Sequence, residues 1–137
     1  MRHRATQKQD ETVRLLPSPR SGRNQRRKQI RILCDAIVRE FHPEKIVLFG
    51  SYAYGDAHQD SDVDLVVVMP FEGSPFRQAA RILSHVVRTV GVLPMDLLVR
   101  RPEQVRERMR MDDSFMREII ERGKVIYETR KSFGLPI

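Results

Sequence analysis

Apolar side chains at Ile30, Leu33, Cys34, Ile37, Val38 and Phe41 repeat with the i, i+3, i+4, i+7 spacing of an amphipathic helix, and the pattern stops at His42-Pro43. Two runs of a different kind follow. KIVLFG, at 45–50, is short, β-branched and closed by glycine, and DVDLVVVMP, at 62–70, is longer and closed by proline, so both predict strands. Pro75 opens a second amphipathic segment, with Phe76, Ala79, Ala80, Leu83, Val86, Val87 and Val90 on one side and Gly91 as its stop. MDLLV, at 95–99, predicts a third strand. A helix near 102–110, another from Asp112 to Arg122 with Asp113 and Ser114 near its start and Gly123 as its stop, and a short strand KVIY complete the order. This order, without an internal repeat, predicts an α/β (α+β) domain: a short mixed sheet with helices mainly on one face.

A chain of 137 residues with 40% hydrophobic content is long enough for one domain with a real core. The formal net charge of +7 suggests nucleic acid, but its distribution changes that reading. Residues 1–28 hold nine Lys and Arg against Asp10 and Glu11, whereas 29–137 hold sixteen of each sign. The first stretch is a basic arm poor in large apolar residues, a composition that predicts disorder in the free chain; 29–137 is the predicted folded domain. Such an arm can bind nucleic acid or an acidic surface, yet no aromatic residue is interleaved with its charges. No segment approaches the roughly 18 apolar residues of a membrane span, and the N-terminus lacks the apolar core of a secretory signal. The expectation is a soluble, cytoplasmic protein that does not engage membranes. Cys34, the single cysteine, has no internal disulfide partner and falls within the apolar stripe of the first helix, where a buried thiol is expected.

The second strand raises the chemical question. Asp62 and Asp64 stand one residue apart at the entry to an apolar run, where each charge is costly to desolvate without a counter-ion. Side chains two apart on a strand share a face and lie roughly 6–7 Å apart, so the two carboxylates project together while Val63 and Leu65 face the other way. Asp96 enters the third strand in the same manner, and a neighbouring strand would bring it beside the pair. Three carboxylates on one sheet surface form an oxygen-rich site suited to Mg²⁺ or Mn²⁺. Upstream, Gly50 ends the first strand and lets backbone approach a phosphate, while Ser51 offers a hydroxyl and the N–H groups of a helix start. A metal-bound triphosphate fits between these halves. A calcium loop built on Asp60, Asp62 and Asp64 is excluded, because Leu65 stands where such a loop needs glycine and Phe71 where it needs a bidentate glutamate.

Gly50-Ser51, followed by Asp62-x-Asp64 and by Asp96 in a later strand, resembles the motif of the nucleotidyltransferase superfamily related to DNA polymerase β, and within it the minimal nucleotidyltransferases. Gly55-Asp56-Ala57 resembles the turn after the GS helix, and FMREIIERGKVIYE the closing helix and strand of minimal members. One departure is plain: many members carry arginine just after GS, where this chain has Tyr52 and Tyr54. The resemblance implies a polymerase β-like fold in which Asp62 and Asp64 bridge two metal ions and Asp96 completes the metal site and serves as catalytic base. Gly50, Ser51 and Tyr52 would join Asp62 and Asp64 in binding the nucleotide. It further implies transfer of AMP from ATP to a hydroxyl, with Mg²⁺ as cofactor. Because minimal members resemble the antitoxin half of toxin–antitoxin pairs, a HEPN-type toxin is implied as partner and acceptor, in a hetero-oligomer. Two alternatives stand beside this reading: an inactive binding antitoxin, and an RNA-directed nucleotidyltransferase that uses the basic arm.

Overall fold

In the computed structural model, which describes residues 23–58, 61–91 and 93–129, the elements follow the predicted order. They are α1 (Arg23–Phe41), β1 (Lys45–Phe49), α2 (Ser51–Tyr54), β2 (Val63–Val68), α3 (Pro75–Val90), β3 (Met95–Arg100), α4 (Pro102–Arg110), α5 (Ser114–Arg122) and β4 (Lys124–Glu128). α1 begins at Arg23, inside the stretch 1–28 assigned to the basic arm; residues 1–22 of that arm lie outside the described residues. Its end is set by His42, whose φ of 51° leaves helical space, and by Pro43, which cannot continue the ladder.

The four strands form one sheet in the order β3-β2-β1-β4. β2 and β3 run parallel, whereas β1 pairs antiparallel with both β2 and β4, so the sheet is mixed as expected. Alternation along the strands divides their side chains between two cores. Ile46, Leu48, Val63, Leu65, Val67, Leu97 and Val99 face α1 and α3, meeting Leu33, Ile37, Ile82, Leu83 and Val86 in the larger core. On the opposite face Val47, Val66 and Val68 meet Val105 of α4 and Met116 and Ile119 of α5. Helices therefore pack on both faces, and Asp64 and Asp96 lie on the face of the smaller core.

Local chemistry fixes the helix ends. Ser74 caps α3, its hydroxyl accepting from the Arg77 N–H at 3.1 Å with Pro75 at the first helical position, and Gly91 closes the helix at φ 83°. The buried stripe of α3 is centred one residue away from the expected one: Ile82 is fully buried, but Phe76 in the first turn is 55% exposed. Asp113 caps α5 by accepting from the Met116 N–H at 2.9 Å. At the start of β1, the Lys45 ammonium is buried and lies 3.0 Å from the Glu128 carboxylate, tying β1 to β4. Among the described residues no helix is long and apolar enough to cross a membrane.

Cys34 is buried, and burial pushes its thiol up to about 12, with the neighbouring Asp35 adding to the shift. The sign of the resulting pH dependence follows directly. Well below about pH 8.5 the thiol is protonated in both states and its contribution to stability is fully present. Above that pH only the unfolded chain ionises, so stability falls until the folded value near 12 is reached. Wild type is expected to lose about 1 kcal/mol more than Cys34→Ala on going from pH 8.5 to roughly 9.5, read from urea unfolding midpoints. Thiol labelling at pH 8 should track unfolding; immediate labelling of the native chain would contradict a buried Cys34.

Candidate active site

Strand pairing brings the separated parts of the motif together. Phe49 at the end of β1 stands opposite Asp64, and Asp64 stands opposite Asp96 in the parallel β2–β3 pair. All three side chains project to the face of the smaller core, beyond Val66 and Val68. Asp64 and Asp96 thus sit on adjacent strands, whose spacing is about 4.8 Å. Asp62 immediately precedes β2, where the Val63 N–H donates to the Pro94 carbonyl at 2.9 Å and ties the entries of β2 and β3 together. Asp62 and Asp96 are 9% and 8% exposed, while Asp64 is half-buried.

Gly50 closes the site from the other side. Its φ of 74° and ψ of −159° fall in a region open essentially to glycine alone. A Cβ at this position would overlap the Asp64 carboxylate, with Oδ2 nearest and Cγ at 3.0 Å. The glycine backbone therefore lies directly against the carboxylate. One helical turn, α2, starts at the next residue: the Ala53 and Tyr54 N–H groups donate to the Gly50 carbonyl at 3.0 and 3.1 Å, and Gly55 ends the turn at φ 90°. Ser51, the first residue of α2, is half-buried beside this contact. Before β2, the Ser61 hydroxyl accepts from the His58 N–H at 2.9 Å and the Ser61 N–H donates back to the His58 carbonyl at 2.9 Å. That reciprocal turn delivers Asp62 to the strand.

A glycine-serine turn is laid against the Asp64 carboxylate, which stands opposite Asp96, and the sequence profile of the nucleotidyltransferase domain family matches residues 27–127. The chain belongs to that family. The resemblance read from the motif is borne out, as is the activity class: this is a nucleotidyltransferase. A Methanocaldococcus jannaschii protein that bears the name protein adenylyltransferase is 31% identical to it over 84 residues, which cover 61% of this chain and 78% of that one. A solved toxin–antitoxin structure with AMP-PNP aligns at a TM-score of 0.50 and 20% identity, over 74% of this chain and 76% of that one, and has the same fold.

Not every expected site residue of the nucleotidyltransferase reaches the carboxylates. Tyr52 is 2% exposed and its side chain belongs to the larger core, because the second position of α2 turns inward, where a large apolar body is needed; the ring therefore lies away from the carboxylates. Tyr54 is half-buried at the edge of the larger core, with its hydroxyl end turned to α5. Its hydroxyl donates to Glu118 at 3.3 Å, and the Arg122 guanidinium lies 4.2 Å from its ring centroid. Burial in this contact pushes the Tyr54 phenol above its ordinary value. Phe115, at the start of α5, meets Phe49 edge-on with ring centroids 5.8 Å apart.

Phe115, Glu118 and Arg122 thus form one side of α5 that faces β1 and α2, while Met116 and Ile119 pack on the sheet. Sequence reasoning passed over this side. Its signal was an i, i+3, i+7 line of aromatic and charged residues beside an apolar stripe, but only the packing of α5 reveals what that line faces. Among the described residues no three His, Cys, Asp or Glu side chains are gathered into one metal-binding cluster; Asp64 and Asp96 are aligned by register, and Asp62 stands just before β2. As donors the three carboxylates fit a hard divalent cation in kind, and the Gly50 cradle sets one of them against backbone that a phosphate can approach.

Proposed function

We propose that this nucleotidyltransferase moves AMP from ATP to a hydroxyl group on a partner protein, a HEPN-type toxin, and so acts as an antitoxin. The observation that carries this reading is the register of Asp64 against Asp96, with Gly50 closed upon Asp64. The AMP group is supported by the adenylyltransferase name of the archaeal relative, and the toxin partner by the toxin–antitoxin assembly that shares the fold.

Asp62, Asp64 and Asp96 would hold Mg²⁺, which when bound offsets triphosphate charge and makes the attacking hydroxyl more acidic. The chain's own groups do the rest. The Ser51 hydroxyl and the first N–H groups of α2, which a helix start leaves without intrahelical acceptors, hold the terminal phosphates. Gly50 admits them by presenting no side chain. Asp96 takes the proton of the acceptor hydroxyl. The acceptor oxygen bonds to the α-phosphorus as the bond from that phosphorus to the bridging oxygen breaks, and pyrophosphate leaves with the electron pair.

The test is incubation of the chain with labelled ATP, Mg²⁺ and lysate of its own host, beside the Asp62→Ala/Asp64→Ala variant. A labelled protein band that needs both aspartates is expected, its mass raised by one or more AMP groups. No label, with the same partner captured by both forms, would replace transfer by simple masking of the partner.

A further inference from the structure

Phe115 is 53% exposed, and its place is what singles it out. Its ring rests edge-on against Phe49, at 5.8 Å between centroids and 85° between planes. Phe49 is the strand partner of Asp64 and the residue immediately before Gly50. The two rings therefore make a step that leaves the carboxylates on the sheet face and rises onto α5. The T-shaped contact uses the edge of one ring against the face of the other and fixes the plane of Phe115, so little conformational freedom is left to lose when a flat group settles on it.

We propose that Phe115 is the stacking surface for the nucleobase of the incoming nucleotide, with Phe49 as the residue that positions it. This rests on the transfer reading and adds a part that reading lacks. Ser51, Gly50 and the three aspartates engage phosphate and cation, chemistry common to every nucleoside triphosphate, and none of them meets a base. An exposed aromatic ring one ring beyond Asp64 supplies a contact available to a nucleoside triphosphate and unavailable to its phosphate chain alone. A purine offers more area than a pyrimidine to such a surface, so the step favours ATP and GTP over CTP and UTP.

The experiment compares ATP with inorganic tripolyphosphate, both with Mg²⁺, by calorimetric titration of the full chain and of Phe115→Ala, Phe115→Tyr and Phe49→Leu. Phe115→Ala is expected to weaken ATP binding about ten- to a hundredfold, the range of one base–aromatic stack, and to leave tripolyphosphate unchanged. Phe115→Tyr, which keeps the plane, should bind ATP like wild type. Phe49→Leu should weaken ATP by a smaller factor and again spare tripolyphosphate. Unchanged ATP affinity in Phe115→Ala would overturn the proposal. So would an equal loss for both ligands, which would mean general damage to the site. If wild type binds neither ligand, the transfer reading itself fails and the stacking role with it.

Discussion

Asp64→Asn should lower nucleotidyl transfer by on the order of a thousandfold, the scale reached when a preorganised electrostatic group is lost from a reaction centre. Asparagine keeps the shape of aspartate, so Gly50 and Phe49 retain their neighbour and the fold has no cavity to collapse. What disappears is one negative charge, set between Phe49 on one strand and Asp96 on the other. In the free protein that removal relieves repulsion between adjacent carboxylates, which costs stability when like charges stand opposite each other on a sheet. Activity and stability should therefore move in opposite directions. Single-turnover labelling of the acceptor measures the first and the urea midpoint the second. Transfer at the wild-type rate would remove Asp64 from the chemistry, and a large loss of stability would mean that the charge was needed to hold the sheet.

Gly50→Ala should fail on both counts. The backbone angles at this residue cost a non-glycine side chain about 1–3 kcal/mol, before any contact is considered. The added methyl would also overlap the Asp64 carboxylate, and relief requires that β1 and β2 separate or that Asp64 swing away. Either displaces a reacting group, and misplacement by about 1 Å is enough to cost roughly a hundredfold in rate. Gly55→Ala is the matched control. Gly55 has a similarly positive φ of 90°, but a Cβ there meets nothing within 4 Å. It carries the conformational cost alone, so its midpoint should fall while its transfer rate stays near wild type. Equal activity losses in the two variants would show that strain in α2, and not the contact with Asp64, is what matters.

Most of the architecture was legible because its signals are local. Proline and glycine punctuation bounded α3, and β-branched runs bounded β1 and β2. The pairing of Asp62 with Asp64 on one face follows from the two-residue period of a strand. The adjacency of Asp96 was anticipated only as something a neighbouring strand would allow; the parallel β2–β3 register realises it. The burial of the Tyr52 side chain was not legible, because a four-residue helix is too short to display a periodicity and nothing local marks which of its positions turn inward. Phe76 illustrates the converse: it fits the helical stripe of α3, yet the first turn holds it in solvent. The side of α5 that faces the GS turn depends on how that helix seats on β1, a long-range contact that no short window of sequence contains.

The acids and the valines of the smaller core share one face of β2, and Leu98 shares that face with Asp96 on β3. A slip of one residue would carry all of them across together, exposing valine and leucine and burying charge in the larger core. Misalignment of the reacting groups is thus penalised by oil and water, not by anything in the reaction. Sequence drift among Val66, Val68 and Leu98 can change their bulk but cannot retune the acids so long as the alternation survives. The chemistry inherits its accuracy from the least specific force in the molecule, and damage to one should seldom be seen without damage to the other.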